Sequence, residues 1–225
     1  MMRRRMMASI GAKPWVNPYI TDGLVAMWDG EWNAGGGVHD PNSVMWKDLA
    51  GRNDMFLWNT GCQFHRNFLK TAESQNCAVF RKINGDDIVT IESVVRLYGY
   101  NGLVLAQFSG ADSGSKWIGF RANGSVNFST SSSCVFVDSI TSIHSYSGVN
   151  AFGSFEDSRI RIDGKLMKTN GKGMSWGNNN NTSLNSVASE YTVSDIYCIR
   201  LYSRELSADE VADNYAIDKE RFGIG

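Results

Sequence analysis

Proline and histidine are scarce in this chain of 225 residues, with three of each. Set against 23 glycines, so little proline favours many tight turns between short strands. Long apolar runs are missing as well. Nothing approaches the roughly 18 apolar residues of a spanning helix, so no membrane insertion is expected. Neither sign of charge prevails: 22 Lys and Arg stand against 23 Asp and Glu, a net charge of −1. That balance gives no basic face for a polynucleotide, and no nucleic-acid partner is expected. Cysteine is thinly spread at Cys62, Cys77, Cys134 and Cys198, with no CxxC pair, which excludes the usual zinc spacings. Cys134 and Cys198 lie in apolar strand-like runs where a thiol packs as a small hydrophobe, and reduced thiols are expected throughout. The opening MMRRRMMASIGAKP has no apolar core of about 7–15 residues, so no Sec export is implied.

What is present reads as β structure ending in one helix. Hydrophobic residues make up 42% and aromatic residues 12% of the chain, enough for one buried layer, and no internal repeat is visible. Asp87 to Leu97 is the longest β-branched run and suits a central strand. Asp163-Gly164, between Ser158 to Ile162 and Lys165 to Thr169, is the strongest short hairpin signal. From Asp195 the chain alternates, which predicts Ile196, Cys198 and Arg200 on one face and Tyr197, Ile199 and Leu201 on the other. Ser207-Ala208-Asp209-Glu210 then forms a capping box for a helix of about three turns closed by Lys219, Glu220 and Arg221. Of the residues at helical spacing, Val211, Asn214, Tyr215 and Asp218, only Val211 and Tyr215 read as anchors, so the helix is expected to lie as a lid on a sheet.

The segments Asp22 to Gly30 (DGLVAMWDG), Trp46 to Asp54 (WKDLAGRND), Ile160 to Leu166 (IRIDGKL) and Asp195 to Val211 (DIYCIRLYSRELSADEV) resemble the laminin-G-like, concanavalin-A-like jelly-roll domains. The resemblance spans roughly Thr21 to Phe222. It implies an all-β, two-sheet antiparallel jelly-roll sandwich with a short C-terminal helix. The expected organisation is an N-terminal arm at 1–20 and a jelly-roll domain at 21–225. The opening and the closing NYAIDKERFGI also resemble proteins encoded in phages and prophages of gut bacteria.

Jelly-roll glycosidases related by that resemblance carry two carboxylates on one strand, so that alternate residues flank one glycosidic bond. No strand here offers such a set. Glu156 and Asp157 are adjacent and Glu92 stands alone, and there is no GxSxG elbow, so the chain is expected not to be an enzyme. Asp112 to Trp117 resembles half of the Asp-box of sialidases, which braces a hairpin.

A sugar offers an apolar ring face and a rim of hydroxyls, so its site needs an exposed aromatic plate beside amide and carboxylate groups. Two loops have that composition. Asp29 to Asp40 supplies Trp32, Asn33 and His39; Asn170 to Asn181 supplies Trp176, Asn178, Asn179 and Asn180. Calcium is open as a ligand of the first loop, through Asp29, Glu31 and Asp40, because laminin-G-like domains often bind it at the rim. No other cofactor is expected.

Three functions are consistent with these features. The first is a non-enzymatic phage virion structural, decoration or fibre-associated protein with an adhesive, glycan-binding jelly roll. It would be assembled in the host cytoplasm and contact virion proteins or its own copies through the arm. The second is a stand-alone carbohydrate-binding lectin module on the extracellular surface, with host-surface glycans as partners. The third is a glycan-active hydrolase with catalytic residues of unfamiliar pattern.

Overall fold

The computed structural model describes residues 16–33, 37–51, 53–57, 62–71, 83, 88–98, 103–109, 115–120, 125–128, 133–136, 142–149, 159–167, 183–186 and 193–225. In chain order the strands are β1 (Leu24–Asp29), β2 (Trp32–Asn33), β3 (Gly37–Val38), β4 (Met45–Trp46), β5 (Met55–Phe56), β6 (Gln63–Phe64), β7 (Leu69–Lys70) and β8 (Thr90–Leu97). They continue with β9 (Leu103–Ser109), β10 (Ser115–Phe120), β11 (Ser125–Phe128), β12 (Ser133–Phe136), β13 (Ile143–Val149), β14 (Arg159–Ile162), β15 (Lys165–Leu166), β16 (Ser183–Ser186) and β17 (Ser194–Tyr202). One helix follows, α1 (Ala208–Phe222). The protein is thus mostly β, with antiparallel sheets and one C-terminal helix. The expected strand at Asn76 to Arg81 lies outside the described residues, as do residues 1–15 of the expected arm.

The large sheet has eight strands in the order β15-β14-β13-β8-β17-β7-β6, with β1 also on β17. β7 takes the first part of β17, at Asp195 and Ile196, and β1 takes the rest, from Cys198 to Tyr202. β17 is therefore fully enclosed, and all nine of its residues are buried. A second sheet runs β12-β11-β10-β9-β16. Asp163 and Gly164 have φ of 51° and 74°, the left-handed pair that a two-residue hairpin needs between β14 and β15.

One face of the large sheet carries Trp28, Ile91, Val95, Tyr146, Ile160, Ile196, Ile199 and Leu201 into the main apolar cluster, joined by Trp46, Phe64 and Leu69. The other face carries Met27, Val94, Tyr197 and Cys198 towards Phe222 at the end of α1. The strict alternation expected in β17 is corrected at this point. The ladder to β8 slips between Ile196 and Cys198, so Tyr197 is a bulge residue and shares a face with Cys198. Beyond the bulge the alternation resumes, with Ile199 and Leu201 in the apolar cluster and Arg200 on the helix side.

The capping box forms as expected: Glu210 N–H donates to Ser207 Oγ at 3.2 Å and Ser207 N–H donates to Glu210 Oε2 at 2.9 Å. The helix runs longer than three turns, to 15 residues. Its buried residues are Val211, Asn214, Asp218 and Phe222, so the polar positions dismissed on hydropathy are half of its anchor. Arg200, fully buried, donates from Nη1 and Nη2 to the two oxygens of Asp218 at 2.7 and 2.6 Å, and from Nε to Glu92 at 2.9 Å. Asn214 Nδ2 donates to the same Glu92 oxygen at 2.8 Å and to Tyr202 Oη at 3.1 Å. Ser145 Oγ and Tyr19 Oη complete the shell of Asp218 at 2.9 and 2.8 Å. The Tyr19 ring lies against the Arg200 guanidinium, 4.0 Å from its centroid, within cation–π range. Tyr19 and Ile20, at the end of the expected arm, thereby dock on α1, with Ile20 N–H donating to Asn214 Oδ1.

Cys198 is a buried free thiol in this layer, and burial pushes its pKa up, away from reactivity. Cys62 departs from the reduced thiols expected: it is disulfide-bonded. Sequence spacing alone cannot reveal such a pairing, because a disulfide depends on Cα proximity in the fold.

Candidate functional site

The rim site grows from the end of β1. Asp29 is buried and its carboxylate makes a local turn: Oδ1 accepts the N–H of Glu31 and of Trp32, both at 3.0 Å. This Asx-type turn launches the β2–β3 hairpin, in which Trp32 pairs with Val38 and Asn33 with Gly37. Arg221 of α1 grips the same carboxylate from below, Nη1 to Oδ2 at 2.8 Å and Nη2 to Oδ1 at 3.1 Å, while also donating to Tyr19 Oη at 2.8 Å. Gly30 lets the chain pass beside β7. A Cβ there would sit 2.5 Å from Phe68 Cα and 2.9 Å from the Asn67 carbonyl oxygen, so any side chain would force the turn off the sheet.

The backbone carbonyl of Asp29 is equally constrained. It accepts from Trp46 Nε1 at 2.8 Å, and His39 Nε2 lies 2.7 Å away. A carbonyl oxygen only accepts, so His39 Nε2 carries the proton. Burial lowers the His39 pKa, which keeps the ring neutral and leaves Nδ1 as a bare lone pair. The ring is stacked on Phe64, centroids 3.9 Å apart and 1° from parallel. His39 Nδ1 is buried without a hydrogen-bond partner, and so is Asn33 Oδ1 on the same hairpin. Trp32, partly exposed, stands next to Asn33.

The structure therefore gathers Trp32, Asn33 and His39 on one hairpin, whereas Trp176, Asn178, Asn179 and Asn180 lie outside the described residues. The calcium candidates are already engaged: Asp29 and Glu31 meet at Arg221, and Asp40 stands apart. Asp29 is saturated by Arg221 and two backbone N–H groups, Asp40 is exposed and accepts from Asn42 N–H, and Glu31 leans towards Arg221 Nη2 at 3.6 Å. Among the described residues no group of three or more His, Cys, Asp or Glu could hold a metal ion. Among them, too, no helix is long and apolar enough to cross a membrane.

Sequence reasoning missed Arg221, Arg200, Glu92, Asn214 and Asp218. The one available signal was the spacing of Asn214, Asp218 and Arg221 on the same helix as Val211. Burial raises the pKa of Glu92 against the opposing pull of the Arg200 guanidinium, and the neighbouring Asp218 carboxylate adds to the rise.

No protein-family model matches the chain, and no curated protein matches it. Solved structures do. Trypanosoma rangeli sialidase in complex with sialic acid superposes with a TM-score of 0.66 at 13% identity, over 90% of this chain and 34% of the sialidase chain. The crystal structure of an HCR/D mutant gives 0.64 at 13% identity, over 90% of this chain and 53% of the other. The receptor-binding domain of botulinum neurotoxin type G gives 0.59 at 18% identity, over 88% of this chain and 52% of the other. The chain thus spans about a third to a half of the proteins it matches, and the likeness is one of fold. The expectation that the chain is not an enzyme is corrected by this finding, because sialidases stand among its structural neighbours. The physical reason is that reacting groups can converge from different strands, so the missing carboxylate pair on one strand excludes nothing.

Proposed function

We propose that the chain is a carbohydrate-binding module with a laminin-G-like, concanavalin-A-like jelly-roll fold, and that its sugar site is the Trp32, Asn33 and His39 hairpin. The observation that carries this reading is the pair of buried acceptors, Asn33 Oδ1 and His39 Nδ1, left without partners beside a partly exposed indole. A buried acceptor with no donor costs about 1–3 kcal/mol, so a protein retains two of them on one hairpin where a donor arrives from outside. Sugar hydroxyls are such donors, and the ring face of a pyranose fits the indole. Two neighbours support the reading by their own descriptions, a sialidase holding sialic acid and a toxin receptor-binding domain.

An extracellular location suits the Cys62 disulfide, which persists in oxidising compartments. The virion role drawn from the opening and closing motifs gains no support from these neighbours, and its arm lies largely outside the described residues.

The test is a glycan array on the intact protein followed by titration of the hits against Asn33→Ala and Trp32→Ala. Binding that falls at least about tenfold in both variants, with their melting temperatures retained, sustains the site. Unchanged binding in both, or no hit on the array, refutes it.

A further inference from the structure

Two arginines are buried among the described residues, Arg200 at 0% and Arg161 at 6% exposure, and their surroundings differ. Arg200 is held by Glu92 and Asp218. Arg161 forms no ion pair among the described residues, and its Nη1 is buried with no hydrogen-bond partner. An arginine keeps its proton where a buried lysine can shed it, so this charge persists and has to be met. The carboxylates on this side of the sheet are engaged elsewhere. Glu92 serves Arg200 and Asn214, Asp218 serves Arg200, Tyr19 and Ser145, Glu205 serves Arg159, and Asp163 holds His144 and the Ser145 N–H.

The strand register supplies a second donor. Ile160 and Ile162 of β14 turn into the main apolar cluster, so Arg161 between them lies on the α1 side of the sheet. Ser147 of β13 is directly opposite Arg161, and its Oγ is likewise buried with no hydrogen-bond partner. Opposed residues share a face with their Cβ atoms about 4.5–5.5 Å apart, so an unmatched N–H and an unmatched O–H stand side by side. One group with two acceptor oxygens answers both. A carboxylate is such a group, and its single negative charge meets the single guanidinium. On the other side of Arg161 the register partner is Leu166 of β15, 61% exposed, which puts the approach at the sheet edge. Donors as enclosed as Arg161 and Ser147, the latter 3% exposed, suit a small acid and not a sugar ring.

We propose that Arg161 and Ser147 form a binding site for a small carboxylate anion, separate from the rim hairpin. The experiment titrates the full chain with formate and acetate by ligand-observed NMR, with chloride and inorganic phosphate as competing anions. Formate and acetate are expected to bind saturably, and chloride and phosphate to displace them only at concentrations at least about tenfold higher. Arg161→Met and Ser147→Ala are each expected to weaken acetate about tenfold or more, the low end for losing a hydrogen bond to a charged group. Without acetate, Arg161→Met should keep its melting temperature, because it removes a buried charge that nothing meets. Asn33→Ala should leave acetate affinity unchanged, so failure at the rim and failure here are told apart. No acetate binding to the parent overturns the proposal, as does acetate affinity unaltered in Arg161→Met. So does chloride or phosphate binding as tightly as acetate. Should Arg161→Met not fold, acetate affinity unaltered in Ser147→Ala overturns the proposal by itself.

Discussion

Arg221, through Tyr19 and Asp29, touches two differently built regions. Below, around Arg200, every charge is met: three guanidinium nitrogens find carboxylate oxygens at 2.6–2.9 Å, and Asn214, Ser145 and Tyr19 fill what remains. Above, on the β2–β3 hairpin, Asn33 and His39 each bury an acceptor with nothing to meet it. The first arrangement fixes α1 on the sheet and is complete without a ligand. The second is incomplete, and two unmatched acceptors on one hairpin beside a partly exposed indole point to function.

The comparison is broken most severely at its closed end. Arg200→Met removes the only cation hydrogen-bonded to Glu92 and Asp218 among the described residues, and breaking a buried pair in this way costs about 3–5 kcal/mol. Urea unfolding should show that loss. Adding Asp218→Asn to Arg200→Met should recover part of it, since one stranded charge is then gone. A loss under about 1 kcal/mol for the single variant would mean that the network does not hold the helix.

Arg221→Met cuts the strut between the two regions. It leaves the Arg200 ion pairs in place but removes the donor to Tyr19 Oη and strips two charged hydrogen bonds from buried Asp29, the latter at a cost of about 1.5–3 kcal/mol. Because Asp29 sets the turn into Trp32, the same variant should weaken glycan binding at the rim. Stability lost with glycan affinity intact would show that the hairpin holds its shape without the strut.

How far these regions are legible in the sequence follows the same division. The capping box, the Asp163-Gly164 turn and the buried strand from Asp195 are written in local residue order, and they form. The bulge at Tyr197 is not, since alternation carries no mark of one extra residue. Asn214 and Asp218 read as solvent-facing because hydropathy scores a charge without its partner, and Arg200 lies on a different element. At the rim, composition singled out Trp32, Asn33 and His39, but their unmatched acceptors emerge only once the Asp29 carbonyl fixes the His39 tautomer. The Tyr98 to Asp195 hydrogen bond was out of reach altogether, because it spans a separation of 97 residues.

A smaller effect is expected at the helix start. Ser207→Ala removes the cap that receives Glu210 N–H and should cost about 1 kcal/mol. Glu210 also ties the cap to Arg204, at 2.6 and 2.8 Å, and this pairing, with the Ser207 N–H, holds its pKa down at about 2 from 4.5. A depressed carboxyl favours the folded state in its ionised form. Its contribution is therefore full above pH 4.5 and fades as the pH falls towards about 2. Glu92, raised by burial, acts in the opposite sense, its ionised form being disfavoured in the fold. Glu210→Gln should then flatten the loss of stability on acidification through that window. A parent and variant with parallel acid limbs would remove Glu210 from the account.

The smallest stability change is expected at Asn33, and it is the sharpest test of the contrast. In a region where every polar atom is matched, truncating a buried amide strands its partner and destabilises the fold. Asn33 Oδ1 has no partner to strand, so Asn33→Ala should move stability by no more than about 0.5 kcal/mol, and a gain is as consistent with the argument as no change. Glycan affinity should nevertheless fall. Thermal unfolding and sugar titration on the same sample read both quantities. A large loss of stability would show that Asn33 belongs to the matched interior after all, and the rim would then lose the unpaired acceptor on which its binding role depends.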